Sequence, residues 1–403
     1  MASPQGTLDP PELKGPTGRG LTALLTCAMA FSMLQLFLLG ALGPRLVADL
    51  GISPTVLGLT TTIGFGTAAA LSPAGGRIVD RIGPRRSLVL LLAVSALALA
   101  LIGAAPGAGL LLCAVALGGV PQALANPATN KAVLATVPPP RRGAVTGLKQ
   151  SGVQLGAFAA GLPLAALAGG PGWRAAVWTA AGAALLAAGW ALRSLPADAP
   201  PPPVSRAVAG TASVTRGMVA WLAVFSLFLG AGIASVNTYL ALYGVQRLDM
   251  DPTVAGALVA VLGVAGIAGR VGWSRAARPG RAERLPGWLA CGALGAAGLL
   301  GAAQVAGPLV WLGAVATGVF AVSGNAVSMV LVVQRAAPGR AGQDSALVAA
   351  GFFAGFAVGP TLFGLFAEHG RYGAGWLLVA GEFAAAAAVA FLWARGDRRE
   401  RGA

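Results

Sequence analysis

The chain has 403 residues, of which 56% are hydrophobic and 10% are charged, and its formal net charge is +15. Soluble globular domains carry about 25% charged residues, so this composition excludes an ordinary soluble protein. A basic chain can bind nucleic acid, but here the Lys and Arg residues occupy short segments between apolar blocks. That placement is typical of membrane topology and predicts an integral membrane protein without a nucleic-acid partner.

Twelve apolar segments predict an all-α membrane protein, because each is close to the about 20 residues that a helix needs to cross the hydrocarbon core. Residues 1–19 are rich in Pro and Gly and are predicted to be disordered. They lack the pattern of a signal peptide, so the first span is expected to be retained. The first six spans are predicted at 20–42, 54–74, 87–106, 109–135, 142–168 and 173–193.

A break in the apolar pattern divides the chain into two halves. Residues 194–216 contain Pro196, Asp198 and four consecutive prolines at 200–203, which predicts an extended linker. Six further spans are predicted at 217–243, 253–272, 288–305, 308–334, 341–367 and 373–394. The predicted domains are therefore a bundle at 20–193, a second bundle at 217–394 and a tail at 395–403.

The placement of Lys and Arg predicts the orientation. If the amino terminus is cytoplasmic, every Lys and Arg falls on the cytoplasmic side except Arg45, Arg174, Arg247 and Arg371. Cytoplasmic loops carry an excess of these residues, so both termini are predicted to be cytoplasmic in a multi-pass protein of the cell membrane.

The turn between the second and third spans is the most informative motif. It reads Gly-Arg-Ile-Val-Asp-Arg-Ile-Gly-Pro-Arg-Arg from Gly76 to Arg86. It resembles the G-x-L-A-D-R-x-G-R-K loop of the major facilitator superfamily, with six positions in register: Gly76, Ile78, Asp80, Arg81, Gly83 and Arg85. Val79 stands where Ala is usual, and Pro84 replaces a basic residue.

This resemblance implies two pseudo-symmetric six-helix bundles that expose a solute site to either side of the membrane in turn. It also implies a gating role for Gly76, Asp80, Arg81, Gly83 and Arg85. The chain has no Walker A sequence, so ATP is not expected to be the direct energy source.

The eleventh span carries a row of small residues. Gly351, Gly355 and Gly359 are four residues apart, which places them on one helix face where a second backbone can approach closely. With Pro360, the row resembles an antiporter-associated element of the same superfamily. We interpret it as helix packing, with an antiport role as the alternative.

Polar side chains within the spans are the candidate solute ligands, because a buried charged group in a bilayer costs at least ~2.5 kcal/mol. Spans 4 and 5 supply Asn126, Asn130, Lys149 and Gln154. The helices that line the cavity in the superfamily add Gln35, Asn237, Tyr239 and Asn325. The alternative interpretation is that Lys149 extends to the membrane surface and the amides form hydrogen bonds between helices.

Glu382 is the one carboxylate deep within a predicted span. It either stabilises the helix packing or carries a proton. The three cysteines lack C-x-x-C spacing and the chain has a single histidine, His369, so no metal site and no cofactor are expected. No constellation of His, Asp and Glu predicts an enzyme.

The sequence therefore predicts a monomeric secondary transporter in the lipid bilayer, driven by a proton or solute gradient. Its small-molecule substrate is expected to be a small organic or inorganic anion, or a neutral metabolite, since Lys149 and the amides outnumber acids in the spans. One alternative is efflux of hydrophobic drugs or metabolites by proton antiport. A second is a membrane sensor that uses the same fold without transport.

Overall fold

The computed structural model describes residues 18–198, 214–276, 284–335 and 341–402, and within these ranges the chain is helical and forms no strand. Twelve of its helices are long and apolar enough to cross a membrane, which confirms the predicted number of spans. Numbered 1 to 12, the spans are Gly20–Ala41, Pro54–Ser72, Pro84–Ala104, Ala108–Thr136, Val145–Gly169, Trp173–Ser194, Gly217–Leu248, Pro252–Trp273, Leu285–Ala302, Leu309–Met329, Leu347–Glu368 and Tyr372–Arg395.

Several helices continue beyond these spans, and two spans are interrupted. Span 5 combines Pro139–Gln150, Gly152–Ala159, a π turn at Ala160–Leu164 and Ala165–Gly169, and span 10 combines Leu309–Ala316, a π turn at Thr317–Val322 and Ser323–Arg335. The other helices are Gly18–Ala41, Gly43–Leu50, Pro54–Ile82, Pro84–Ala104, Ala108–Thr136, Trp173–Ser194, Val214–Leu248, Pro252–Ala276, Leu285–Ala302, Ala341–Glu368 and Tyr372–Gly402.

The predicted spans were wrong mainly at their ends. Span 3 begins at Pro84, three residues before the predicted start, because proline at the first helical position lacks only an N–H that no helix bond would use. The predicted disordered segment and linker fall largely on residues 1–17 and 199–213, which lie outside the described residues.

The two halves begin their second span in the same way. Ser53 Oγ accepts a hydrogen bond from the N–H of Val56 (3.3 Å), and Asp251 Oδ1 accepts one from the N–H of Thr253 (2.7 Å). Proline follows both capping residues, and the residue two places before each cap has a positive φ, 61° and 50°. The hydrogen bond from Thr253 lowers the pKa of the Asp251 carboxyl. At the start of this span, residue n of the first half is therefore equivalent to residue n+198 of the second half.

The bundle has two ends, which we name by the chain. Because the number of spans is even, the described residues 18 and 402 lie at the same end, the terminal end, and the opposite end is the distal end. The turn at 76–86 is at the terminal end. Large apolar side chains on the outside remain exposed, such as Leu186 (78%) and Leu377 (74%), as expected for a surface that contacts lipid.

Candidate functional site

The two halves meet most closely at the distal end, where glycines admit the backbone of the other half. A Cβ at Gly58 would lie 2.5 Å from the carbonyl oxygen of Pro360 in span 11. Its repeat counterpart, Gly256, packs on span 5: a Cβ there would lie 2.9 Å from Ala165 Cβ, and a Cβ at Gly161 would lie 2.7 Å from the Gly256 carbonyl oxygen. Gly40 of span 1 lies against the carbonyl of Asn237 in span 7. Small residues permit such close packing between membrane helices.

Hydrogen bonds between the halves strengthen this distal seal. They join Tyr239 Oη to the Pro54 carbonyl (2.6 Å), Thr61 Oγ1 to Thr238 Oγ1 (3.0 Å), Thr62 Oγ1 to Thr361 Oγ1 (2.6 Å), Arg45 Nη2 to Thr253 Oγ1 (3.0 Å), and Thr55 to Glu368. Two predicted solute ligands, Asn237 and Tyr239, therefore lie in the seal. The Tyr239 hydroxyl already has a partner, while Asn237 Oδ1 is buried without one.

A polar pocket lies beside the seal, between spans 1, 2 and 4. It has room for about one water molecule and is lined by Gln35, Thr60, Thr61 and Gln122 together with apolar side chains. Gln35 Nε2 donates to the Val115 carbonyl (3.3 Å). Gln122 is 4% exposed, and neither its Nε2 nor its Oε1 has a hydrogen-bond partner among the described residues.

Gln122 was missed by the sequence analysis, although the reasoning that selected Gln35 applies to it equally. It is an amide in the middle of an apolar span. An unpaired buried amide costs about 1–3 kcal/mol per group, so a partner that both donates and accepts hydrogen bonds would stabilise it. The pocket therefore has the chemistry to hold a hydroxyl, amide or carboxyl group.

Spans 4 and 5 bring together three of the predicted ligands. Lys149 Nζ donates to Thr129 Oγ1 and to Asn130 Oδ1, both at 2.6 Å, and the lysine is 0% exposed. Gln150 Nε2 donates to Asn126 Oδ1 at 2.9 Å. The alternative in which Lys149 extends to the membrane surface is wrong, because its ammonium group is enclosed by protein. Among the described residues no carboxylate lies within ion-pair distance of it.

The remaining predicted ligands lie apart from this cluster. Gln154 is 3% exposed, and its Oε1 has no partner. Asn325 Oδ1 in span 10 is also buried without a partner. Glu382 is 8% exposed with its Oε2 unpaired, and span 12 packs on spans 7 and 9 rather than beside the pocket. These statements hold for the described part of the chain.

The motif at 76–86 is tied to its own half. Asp80 forms an ion pair with Lys131 of span 4 (3.0 Å). The Asp198 carboxylate accepts hydrogen bonds from the backbone N–H groups of Arg85 (2.8 Å) and Arg86 (3.0 Å). Gly83 has a φ of 86°, and a side chain there would collide with Asp198. The other predicted gating residues, Gly76 and Arg81, lie in the last turns of the same helix.

The glycine row of span 11 packs on span 7 within the second half. Each glycine faces one backbone carbonyl, and the carbonyls repeat at the same spacing: Gly351 against Ala223, Gly355 against Leu227, and Gly359 against Ala231. Pro360, the next residue, presents its carbonyl to Gly58 of the other half. The row thus joins the helices of one half, and its end reaches the distal seal.

Comparisons with known proteins agree with this architecture. The family model described as Major Facilitator Superfamily matches residues 25–343. No curated protein matches this chain significantly.

Three solved structures share the fold at low sequence identity. A bacterial homologue of the human lysosomal transporter Spinster, in an inward-facing and occupied conformation, is 16% identical with a TM-score of 0.74, covering 94% of this chain and 96% of its own. A variant of the nucleoside transporter NupG is 13% identical with a TM-score of 0.75, covering 92% and 99%. The human organic anion transporter MFSD10 is 15% identical with a TM-score of 0.70, covering 93% and 100%.

Proposed function

Because the chain belongs to the Major Facilitator Superfamily, we propose that it is a secondary active transporter that moves a small solute by alternating access. The solute binds between the two halves, and a proton gradient or an exchanged solute drives its movement. Both termini lie in the cytoplasm of the cell, so the terminal end of the bundle faces the cytoplasm.

The observation that carries this proposal is the uneven contact between the halves. At the distal end they are joined through Gly58, Gly161 and six side-chain hydrogen bonds, namely the five given above and one from Thr62 to the Ala357 carbonyl. Nearer the terminal end, the contacts between described residues include those of spans 5 and 8, where Gly263 packs on Ala157 and Arg270 Nη1 donates to the Gln150 carbonyl at 3.5 Å. The hydrogen bonds between the halves are thus concentrated at the distal end, and we expect a solute to reach the polar groups of spans 4 and 5 from the terminal end.

The proposed solute is a small anion or a neutral polar metabolite. The buried ammonium of Lys149 has neutral oxygen partners, so an arriving anion would meet an uncompensated positive charge. A cationic solute would instead need a buried carboxylate near the pocket, and Glu382 lies apart from it. The shared fold does not choose the solute, because a nucleoside transporter and an organic anion transporter both match it.

One observation favours efflux of hydrophobic compounds as a second candidate. Phe65 of span 2 packs its ring against Phe353 (5.7 Å between centroids) and Phe356 (4.5 Å) of span 11. These rings meet across the two halves, and separation of the halves would expose an apolar, aromatic surface.

Uptake into proteoliposomes tests the proposal. The probes are phosphate, succinate and benzoate as anions, uridine as a neutral solute and ethidium as a hydrophobic dye, with and without an imposed pH gradient. We expect saturable flux of an anion or of uridine. Gln122→Leu should reduce this flux at least about tenfold, because the solute loses two hydrogen bonds to the Gln122 amide. Gln304→Leu is the control, since Gln304 is exposed at a distal loop.

Two other results would contradict this function. Flux of ethidium alone, unaffected by Gln122→Leu, would make efflux the function. Binding of a probe without flux of any probe would make the protein a sensor on the same fold.

A further inference from the structure

Arg270 is a partly buried cation near the terminal end of span 8, on the side of the membrane that the sequence predicts for it. The structure turns it toward span 5, where Nη1 donates a long hydrogen bond to the Gln150 carbonyl (3.5 Å). Its Nε is buried without a hydrogen-bond partner, and no described carboxylate lies within ion-pair distance. A guanidinium has five N–H donors, so most of its capacity is unused.

A buried charge without a counter-charge is costly in protein and in lipid alike. Structural arginines near a membrane surface avoid that cost by pairing with an acid or by extending to water. In the described part of the chain Arg270 has no acid partner, and it is only partly exposed, with its Nε buried. The unused donors of Arg270 are therefore open to a negatively charged group that arrives from outside the chain.

The surroundings of Arg270 are polar and equally unpaired. Gly266, one turn before Arg270, faces Gln154 of span 5, whose Oε1 has no partner. Gly269 faces Ser323 of span 10, whose Oγ is fully buried and also has no partner. Residues three and four apart share a helix face, so Gly266, Gly269 and Arg270 present one surface to spans 5 and 10.

We propose that Arg270 binds the anionic group of the solute, a carboxylate or a phosphate, at the contact of spans 5, 8 and 10. The planar guanidinium fork matches both groups through two parallel hydrogen bonds. Ser323 supplies a hydroxyl donor, which lies against Gly269, the residue before Arg270. This inference rests on the proposed transport function and names the residue that selects its solute.

The site would also join the two halves, because Arg270 belongs to the second half and Gln150 to the first. An anion seated there neutralises a charge that otherwise lies at the junction of the halves. Lys149 is adjacent to Gln150 in sequence, but its ammonium group donates to Thr129 and Asn130 of span 4, so Arg270 is the cation that faces Gln150.

Four proteins test this inference: the wild type, Arg270→Gln, Arg270→Lys and the control Arg193→Gln. Arg193 is also an arginine at the terminal end of a span, but it is exposed. Thermal-shift titrations with phosphate, succinate, benzoate and uridine give apparent affinities, since a ligand that binds the folded state raises its melting temperature. Counterflow in proteoliposomes with the same probes measures transport.

We expect at least one anion to stabilise the wild type and Arg193→Gln equally. Arg270→Gln should weaken that anion's binding about 10-fold to 100-fold, the loss of a charged hydrogen-bonded pair. Arg270→Lys should keep part of the affinity, because the charge remains and the fork is lost. If Arg270→Lys is monodisperse and keeps part of the anion affinity, the loss in Arg270→Gln is due to the missing charge and not to misfolding.

Three outcomes would overturn the inference. They are equal anion binding by wild type and both Arg270 variants, equal losses in Arg270→Gln and Arg193→Gln, and stabilisation and flux by uridine alone. The last leaves the proposed transport function intact. Conversely, Arg270-dependent anion binding without counterflow would support the site and contradict transport.

Discussion

The two ends of the bundle are held together by different contacts. At the distal end, the contacts cross between the halves: Gly58 admits the Pro360 carbonyl, and Tyr239 donates to Pro54. At the terminal end, the Asp80–Lys131 pair and the Asp198 cap on span 3 lie within the first half. The first kind must break when the halves separate, whereas the second kind is kept.

This difference separates the residues that set a conformational equilibrium from those that set the stability of a half. A glycine that contacts the other half matters in the closed state only. A cap or ion pair inside a half matters in every folded state. Substitutions at the distal end should therefore change the rate of uptake, and substitutions at the terminal end should change the stability of the fold.

The largest effect is expected for Gly58→Val at the distal seal. The added side chain would collide with the Pro360 backbone, which costs about 1–3 kcal/mol in the closed state alone. Because 1.4 kcal/mol is a factor of ten, we expect uptake to be about 5-fold to 150-fold slower, with little change in melting temperature. Gly256→Val, its repeat counterpart, should behave alike.

The control for this prediction is Gly66→Val in the same span, because Gly66 has no atom within 4 Å of its added Cβ. Its uptake should match the wild type. The closed state is read directly from labelling of a cysteine placed at Thr55, after the three native cysteines are replaced. Faster labelling in Gly58→Val is expected, and unchanged labelling with slow uptake would show that the substitution acts elsewhere.

A smaller effect, on stability rather than on uptake, is expected for Asp198→Ala at the terminal end. Its carboxylate accepts hydrogen bonds from two backbone N–H groups at the start of span 3, and loss of such a cap costs about 0.5–2 kcal/mol. The melting temperature should fall by several degrees, while the uptake rate per folded molecule is kept.

Asp198→Asn is the matched variant for that experiment, since the amide oxygen still accepts one hydrogen bond. It should recover part of the melting temperature lost in Asp198→Ala. A fall in uptake rate with an unchanged melting temperature would place Asp198 among the residues that control conformation, contrary to the comparison of the two ends.

The sequence predicts the fold more fully than the site. The spans are readable because about 20 apolar residues must cover the hydrocarbon core, and the turn at 76–86 identifies the family. Tyr239 and Gln122 show the limit. Polarity within a span marks both, but only the packing of the halves determines that the Tyr239 hydroxyl is paired in the seal and the Gln122 amide is not.

Arg270 shows the same limit of sequence-based prediction for a charged residue. An arginine near the end of a span is read as a loop cation, because most such residues extend to water. Whether it does so depends on the helix face it occupies, and that face is set by the contact of span 8 with span 5. A single sequence gives the position of the charge along the helix and leaves its surroundings to the tertiary structure.

The smallest effect is expected for the ion pair of the family motif. Asp80 is 76% exposed and Lys131 is 32% exposed, so water and salt screen their attraction. A double-mutant cycle of Asp80→Asn and Lys131→Met should give a coupling of about 1 kcal/mol or less in the stability of the folded state. Lys131 also donates to the backbone carbonyl of Val79 (3.1 Å), so Lys131→Met alone should destabilise more than Asp80→Asn. The coupling should shrink further in 1 M salt, measured by the melting temperature of the four proteins.

A coupling several times larger, or one insensitive to salt, would mean that the Asp80–Lys131 pair is shielded from water in another conformation. The terminal end would then take part in the conformational equilibrium that the contacts assign to the distal end.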